Sequence, residues 1–347
     1  MRFSLLGAGV IGRLRARAVA RDPERELVAV ADIDEAAAAY AACGTGARVF
    51  GDYRKLLEGD QADVVIVSTP VHLHEEMVVA ALAAGKHVLC EKPLSNSAES
   101  CRRILACVRE RGRTLAVGFN HRYLPSFRFL KQVIDEGRIG RVDSLRVFGG
   151  HDGLANFRAP WMYQKQWSGG GAMMDLGIHM TDLARFVLGE IEEVYGVAGS
   201  NVWKLEGSED RALAILKSES GVPAIYEATW NEWKGYRVYL EAYGDWGMVR
   251  ASYGPMRSLL ITQDRPGGPR RRRIKRYPEV VIREKLRGWE ATTQITFQEE
   301  LSDFARRIRG EVVPLGDGWS GLRAVEIAEA VLESSASGYP VRLRRPS

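Results

Sequence analysis

Short apolar runs alternating with helical patterns organise the first 120 residues of this chain. Phe3–Leu6, Leu27–Ala31, Val64–Ser68, Val88–Cys90 and Leu115–Gly118 are β-rich and almost without polar interruption, as strands buried on both faces are. His74–Ala84 lies between the third and fourth runs and stops at Gly85. Ala98–Arg111 lies between the fourth and fifth, opened by Ser95-Asn96-Ser97 and stopped by Gly112. Serine or asparagine before a helix and glycine after it are the expected caps. Strands alternating with crossover helices predict a parallel sheet covered on both faces, a doubly wound α/β domain over residues 1–120.

Past residue 120 the pattern changes. Arg141–Phe148, Ala212–Lys217, Val222–Trp230, Tyr236–Tyr243 and Gly247–Arg250 come without intervening helices, which predicts an antiparallel or mixed sheet in an α+β domain over 121–347. Gly244-Asp245-Trp246-Gly247 reads as a hairpin turn between two of these strands. Gln298–Arg309 and Gly321–Ser335 read as helices, the latter with Ala324, Ile327, Ala328 and Val331 on one face.

The first apolar run passes directly into Gly7-x-Gly9-x-x-Gly12. A strand feeding a glycine turn and a helix lays bare N–H groups against a pyrophosphate. Gly7 permits the tight turn, Gly9 lets backbone approach phosphate, and Gly12 lets the helix sit close to the strand. The second run ends in Asp32, where a carboxylate accepts both ribose hydroxyls of an adenosine and repels a 2′-phosphate. NAD is therefore expected over NADP, although Arg13, Arg15 and Arg17 lie close by. Gly7, Gly9, Val10, Ile11, Gly12 and Asp32 are the first candidate cofactor residues; a glycine turn without a ligand is the plainer alternative.

Composition narrows the class. At 347 residues, 46% hydrophobic and 27% charged, the chain is expected to be a soluble two-domain protein. No apolar run approaches the ~20 residues that span a bilayer. The first strand begins at the N-terminus, so no secretory signal is expected and a cytoplasmic location is. Cys43, Cys90, Cys101 and Cys107 have no metal-site or disulfide-frame spacing and read as reduced thiols. The net charge is +5, and much of the excess falls in Arg270, Arg271, Arg272, Arg273, Lys275 and Arg276. Between Pro-Gly-Gly-Pro and Tyr277-Pro278 this run reads as an exposed loop or hairpin arm. No nucleic-acid-binding module or aromatic spacing accompanies it, so a solvated loop or a contact with a neighbouring subunit is expected instead.

Three clusters follow strands, where a doubly wound fold places ligands: Ser68-Thr69-Pro70-Val71-His72-Leu73-His74, Glu91-Lys92-Pro93, and Gly118-Phe119-Asn120-His121-Arg122-Tyr123. Lys92 is held between a buried strand and a proline. Beside a positively charged nicotinamide it could hold a substrate hydroxyl and help move its proton; a surface lysine paired with Glu91 is the alternative. Further on, Ser168-Gly169-Gly170-Gly171 leads into a predicted helix with Leu176, Met180, Leu183 and Val187 as its apolar stripe. Asp175 and His179 are four apart on an adjoining face, so the carboxylate could orient the ring and support an imidazolium. A core histidine is the plainer reading. A metal site from Asp175, His179 and Asp182 lacks further ligands at usual spacing, so no metal is expected.

The series GAGVIG, ADID, STP-x-HLH, GKHVLCEKPL, GFNHRY and SGGGAMMDLGIHMTD resembles the glucose–fructose oxidoreductase, inositol dehydrogenase and MocA family. The resemblance implies an N-terminal Rossmann domain that binds NAD. It implies a C-terminal α/β domain whose large open sheet, mostly antiparallel, builds a homodimer or homotetramer. It also implies oxidation of a secondary alcohol on a sugar or cyclitol. Lys92 is then the lysine of the family's EKP, and Asp175 and His179 its aspartate–histidine pair, with His179 as general base. Ser68, Thr69, Pro70, His74, Glu91 and Lys92 join the cofactor residues. Lys92, Asn120, Arg122, Trp161, Tyr163, Asp175 and His179 are the candidate substrate residues. Gln166 could add a hydroxyl contact, and Arg158 and Lys165 a phosphate or carboxylate contact. Trp161, Trp167, Trp230 and Trp233 suit the C–H face of a sugar ring or, equally, a core or interface. Two departures stand near the cofactor: Val71 where the family often has asparagine, and Arg15 where it often has histidine. An NAD-dependent glycosidase working by transient oxidation, and a non-catalytic regulator that senses NAD or sugar, are the alternative functions.

Overall fold

The computed structural model describes residues 1–59, 61–153, 159–265 and 267–343. They form two compact units, Met1–Asn120 with Arg283–Arg323, and His121–Ile282 with Ala324–Ser347.

The first unit begins β1 (Arg2–Leu6), α1 (Val10–Ala20), β2 (Glu26–Ala31), α2 (Glu35–Ala42), β3 (Arg48–Phe50) and α3 (Tyr53–Glu58). It continues β4 (Val64–Val67), α4 (His74–Ala83), β5 (His87–Cys90), α5 (Ala98–Arg111) and β6 (Leu115–Val117). The six strands pair in the order β3-β2-β1-β4-β5-β6, every pair parallel. Phe3, Leu5, Leu6 and all of Val64–Val67 are fully buried, as expected of strands covered on both faces. The caps read from the sequence form: Ser97 Oγ accepts the Ser100 N–H at 3.2 Å, and Gly112 takes a φ of 61° after α5. β3 escapes the sequence pattern because it is a three-residue edge strand with little burial. Strand order reverses at β1, which opens a crevice beyond its C-terminal end, at the glycine turn.

The second unit contains α6 (Pro125–Asp135), β7 (Val142–Gly150), α7 (Lys165–Ser168), α8 (Ile178–Leu188), β8 (Ile191–Gly199), β9 (Arg211–Ser218) and β10 (Pro223–Thr229). β11 (Arg237–Gly244), β12 (Gly247–Tyr253), β13 (Arg257–Thr262) and β14 (Arg271–Arg276) follow. Asp245 and Trp246 close the β11–β12 hairpin where the sequence placed it. The basic run is strand β14, an arm of the β13–β14 hairpin with all six residues exposed.

The chain ends with α9 (Pro278–Arg287), α10 (Glu290–Ile308), α11 (Gly318–Ser337) and β15 (Val341–Arg342), which completes a nine-stranded sheet ordered β14-β13-β12-β11-β7-β10-β9-β8-β15. All its pairs are antiparallel except β7–β10. Helices α6 and α8 cover one face, with Met180 against Gly149 and Phe127, Phe129, Leu130 and Val133 buried. The other face carries Tyr195, Val197, Leu213, Ile215 and Ile225, each at least 40% exposed.

One expectation is corrected. Residues 121–347 are not one domain, because 283–323 pack with the first unit. α10 is tied to α1 through Gln294 Nε2, which donates to Leu14 O at 2.6 Å, and Arg25 donates to Ser302 Oγ. A helix distant in sequence completes the layer over α1, which periodicity alone does not reveal. No helix among the described residues is long and apolar enough to cross a membrane.

Candidate active site

The glycine turn is built by exclusion. Gly7 has a φ of 91°, and a Cβ there would lie 2.7 Å from the Ser68 carbonyl. A Cβ on Gly12 would lie 2.0 Å from Gly7 O. Fold geometry alone therefore demands both glycines. Gly9 differs: a Cβ there meets no atom within 4 Å. It is the N-cap of α1 and, being glycine, offers no side chain to the N–H groups of that first turn. Open space over uncapped helix amides fits a dinucleotide pyrophosphate.

Asp32 sits beside this turn. Its Oδ2 accepts the Ala8 N–H at 2.6 Å and its Oδ1 the Asp34 N–H at 2.9 Å, so the carboxylate is fixed at the crevice before any ligand arrives.

His74 and Glu91, both expected at the cofactor, have intraprotein partners. The His74 ring is buried, with Nδ1 2.9 Å from Pro93 O and Nε2 2.9 Å from Thr69 O. It joins the loop after β4 to the loop after β5. Burial lowers its proton affinity, against the pull of the carbonyls. Glu91 Oε1 lies 2.6 Å from the fully buried guanidinium of Arg15, whose Nη1 lies 2.6 Å from Glu300 Oε2. Phe297 stacks under the same group at 3.6 Å. Burial works against the charge on Arg15, but the two carboxylates outweigh it and raise its pKa. Arg15 is thus a packing ion that joins α1, α10 and the loop after β5. Val71, the other departure, is buried in the short turn Val71–Leu73. Lys92 follows Glu91 with a cis peptide bond to Pro93 and is partly exposed.

In the second unit the predicted helix does not start as an α-helix. The Gly177 N–H donates to Ala172 O, five residues back, so Met173–Gly177 form a wide π turn and α8 begins at Ile178. Glu209 explains this entry. Its carboxylate accepts the Gly171 and Met173 N–H groups at 2.9 and 2.8 Å, and a Cβ on Gly171 would lie 1.9 Å from Glu209 O. The simple four-residue spacing of Asp175 and His179 is interrupted by that turn, a feature common at functional sites.

Asp175 Oδ2 accepts from an indole and an imidazole. Trp230 Nε1 donates at 3.2 Å and His151 Nε2 at 2.9 Å. The Gly153 N–H donates to His151 Nδ1 at 3.0 Å, so the proton of a neutral His151 belongs on Nε2, facing Asp175. His179 is buried and stacks on His121 with ring centroids 3.9 Å apart; Tyr236 OH lies 3.0 Å from His121 Nε2. Burial pushes the Tyr236 hydroxyl pKa well up, so it stays protonated. The Tyr236 ring, 6.3 Å from those of both His121 and His151, links the Asp175–His151 pair to the His121–His179 stack, so a carboxylate and three imidazoles form one cluster that can accept and hold a proton.

Arg122, expected at a substrate hydroxyl, is buried in a fork-shaped pair with Asp182, Nε to Oδ2 at 2.7 Å. Asn120 Nδ2 donates to Thr296 Oγ1 at 3.0 Å within the first unit. Trp161 and Tyr163 lie on a short turn, partly exposed, while Trp230 is core and Trp233 is 84% exposed. Arg158 lies outside the described residues. Sequence reasoning passed over His151, Tyr236, Glu209 and Glu300. His151 alone left a signal, its place just past a predicted strand.

Comparison with known proteins agrees with this architecture. Residues 1–119 match the model of an oxidoreductase family with an NAD-binding Rossmann fold, and 127–250 match the GFO/IDH/MocA C-terminal domain. An inositol 2-dehydrogenase of Rhizobium meliloti is 32% identical over 351 residues, covering 97% of each chain. An uncharacterized oxidoreductase of Bacillus subtilis is 31% identical over 345 residues, covering 98% of this chain and 95% of its own. Levoglucosan dehydrogenase in complex with NADH and L-sorbose superposes with a TM-score of 0.88 at 25% identity, over 100% of this chain and 99% of that one. The six-stranded parallel unit and the nine-stranded sheet are therefore those of an oxidoreductase with an NAD-binding Rossmann fold, and the chain belongs to the Gfo/Idh/MocA family.

Proposed function

We propose that this protein oxidises a secondary hydroxyl of a sugar or cyclitol to a ketone, with His179 as base, the Asp175 carboxylate as its electrostatic support and Lys92 at the substrate oxygen. One observation carries the reading: Asp175 is held by His151 and Trp230 in the buried corner that also contains His179. The names of two relatives, inositol 2-dehydrogenase and levoglucosan dehydrogenase, point to ring polyols as the substrate class.

The amides of Gly9, Val10 and Ile11 would hold the pyrophosphate, Asp32 the adenosine ribose, and Ser68, Thr69 and Pro70 the neighbouring wall. NAD⁺ bound there supplies the hydride acceptor. The imidazole of His179 takes the hydroxyl proton and becomes an imidazolium, which the Asp175 carboxylate stabilises. Lys92 donates a hydrogen bond to the oxygen as negative charge develops on it. Trp161 and Tyr163 are the remaining candidates for contact with the ring. The imidazolium returns its proton to solvent after the ketone leaves.

A panel of polyols, with inositol and levoglucosan among them, tests this by NADH absorbance. The expected result is turnover of at least one polyol with NAD⁺ and at least about tenfold lower kcat/KM with NADP⁺, the consequence of a charge facing the ribose. NADH binding without turnover of any polyol would revive the sensing alternative; release of an aglycone without net NADH would favour the glycosidase. A clear preference for NADP⁺ would overturn the role of Asp32.

The same reading makes the open sheet face an interface with a second copy. Register aligns Tyr195, Ile215 and Ile225 in one row across β8, β9 and β10, with Val197 and Leu213 paired in the next. Burying such a row contributes about 25 cal/mol per Å² of apolar surface. The double substitution Ile215→Asp and Ile225→Asp is expected to reduce the mass measured by light scattering to that of a monomer. A parent protein already monomeric at micromolar concentration would overturn the assignment.

A further inference from the structure

Asp175 stands in the π turn Met173–Gly177, where the Gly177 N–H reaches back five residues to Ala172 O at 2.8 Å. A turn of this width holds more residues than an α turn and is rare in its own right, so its neighbours must hold it. Two buried groups do so from outside the helix, one at each end. At the start, Glu209 Oε2 accepts the Gly171 N–H and Oε1 the Met173 N–H, while the Glu209 carbonyl accepts the Ala172 N–H between them at 2.9 Å. Three successive N–H groups are thus tied to one residue. They are the donors that a helix start leaves without intrahelical partners, so Glu209 fixes where the first turn begins.

At the other end, the fully buried Tyr226 on β10 donates its hydroxyl to Gly177 O at 2.7 Å and accepts from Thr181 Oγ1 at 3.2 Å. Burial raises the pKa of that hydroxyl and keeps it a donor. A Cβ on Gly177 would lie 2.8 Å from both Tyr226 OH and Ala172 O, so the turn closes only around glycine.

The residue after Glu209 serves the same carboxylate by another route. Asp210 O accepts the Trp230 N–H at 2.7 Å, and Trp230 Nε1 donates to Asp175 Oδ2. The dipeptide Glu209-Asp210 therefore fixes both the turn that carries Asp175 and the backbone of the indole that meets it. Without the Glu209 carboxylate, the buried Gly171 and Met173 N–H groups lose their acceptor. The nearest remedy is an ordinary α turn, each N–H bonded four residues back, which rotates Asp175 about the helix axis relative to His151 and Trp230.

We propose that Glu209 is a positioning residue for the oxidation: it holds Met173–Gly177 in the π form that turns the Asp175 carboxylate to His151 and Trp230, with the Tyr226 hydroxyl holding the other end. This role rests on the part given to Asp175 in the reaction, and the variants below separate the two.

Steady-state kinetics of the full-length protein test it, with inositol, levoglucosan or whichever polyol of the panel the parent turns over fastest. Glu209→Gln, Tyr226→Phe and Asp175→Asn are compared with the two double variants that combine Asp175→Asn with each of the others. Glutamine keeps the shape of the side chain but sets an NH₂ group against one of the two amides. Glu209→Gln is expected to lower kcat about 10–100-fold, the effect of a slightly misplaced reacting group, with polyol KM within about threefold of parent. Tyr226→Phe is expected to lower kcat to a smaller extent. In the Asp175→Asn background neither should add more than about threefold, because no carboxylate is left to aim.

A merely structural role would add its full loss in both backgrounds, and that result would overturn the proposal. Parental kcat in Glu209→Gln beside a clear loss in Asp175→Asn would also overturn it, while leaving Asp175 in the reaction. Parental kcat in Asp175→Asn, or a parent that turns over no polyol, would instead remove the reaction on which the role rests. If circular dichroism shows Glu209→Gln unfolded, Tyr226→Phe decides, and parental kcat there counts against the role. A crystal structure of Glu209→Gln gives a readout without activity: an α turn over 173–177 with Asp175 turned from His151 is expected, and an unchanged π turn would overturn it.

Discussion

Replacement of His179 by alanine is expected to lower turnover at saturating polyol by about 10²–10⁴-fold, the usual contribution of a positioned acid–base group. Lys92→Met is expected to fall in the same range, through loss of the charged donor at the oxygen where negative charge develops. NADH binding, read by fluorescence titration, should change little in His179→Ala, because that residue belongs to the second unit and the glycine turn to the first. Near-parental turnover in either variant would remove the residue from the mechanism. His151→Ala offers an internal comparison: it removes the His151 donor from Asp175 Oδ2 and leaves Trp230 in place, so a smaller loss is expected.

Arg15→Met should be the most damaging single change to stability, about 3–5 kcal/mol by denaturant unfolding. The substitution leaves Glu300, fully buried, and Glu91 without the cation that both now face. A buried carboxylate that loses its cation shifts toward the protonated form, so its folded-state pKa rises. Stability contributed by such a group is present at low pH and lost as pH rises through the folded pKa. The deficit of Arg15→Met relative to parent is therefore expected to shrink as pH falls from 7 toward about 5. Adding Glu300→Leu removes one of the stranded charges and should restore part of the loss. Equal deficits at both pH values, with no rescue by the second change, would show that Arg15 acts through shape and not charge.

How much of this was legible beforehand varies by residue. Gly7, Gly12 and Asp32 could be read because their requirements are local, a positive φ, a strand–helix clearance and a carboxylate one strand away. Lys92 could be singled out by its place between a buried strand and a proline. Arg15 could not be interpreted, since both its partners lie far along the chain, Glu91 after β5 and Glu300 on α10. Arg122 looked available for a substrate, but Asp182, sixty residues away in sequence, takes its guanidinium. His74 and Glu91 were correctly placed at the loops beyond the strands, and their side chains have intraprotein partners there.

The sequence by itself determined the parallel sheet, the dinucleotide turn and the family, because periodicity, glycine placement and motif order are properties of neighbouring residues. Only tertiary structure decided which side chains remain for chemistry. Glu209 reaches across from just before β9 to cap the π turn, α10 returns to complete the first unit, and His151 and Trp230 converge on Asp175. Each is a hydrogen bond or ion pair between residues distant in sequence. Its strength depends on burial and on the pairing of charge, quantities that exist only once the chain is folded.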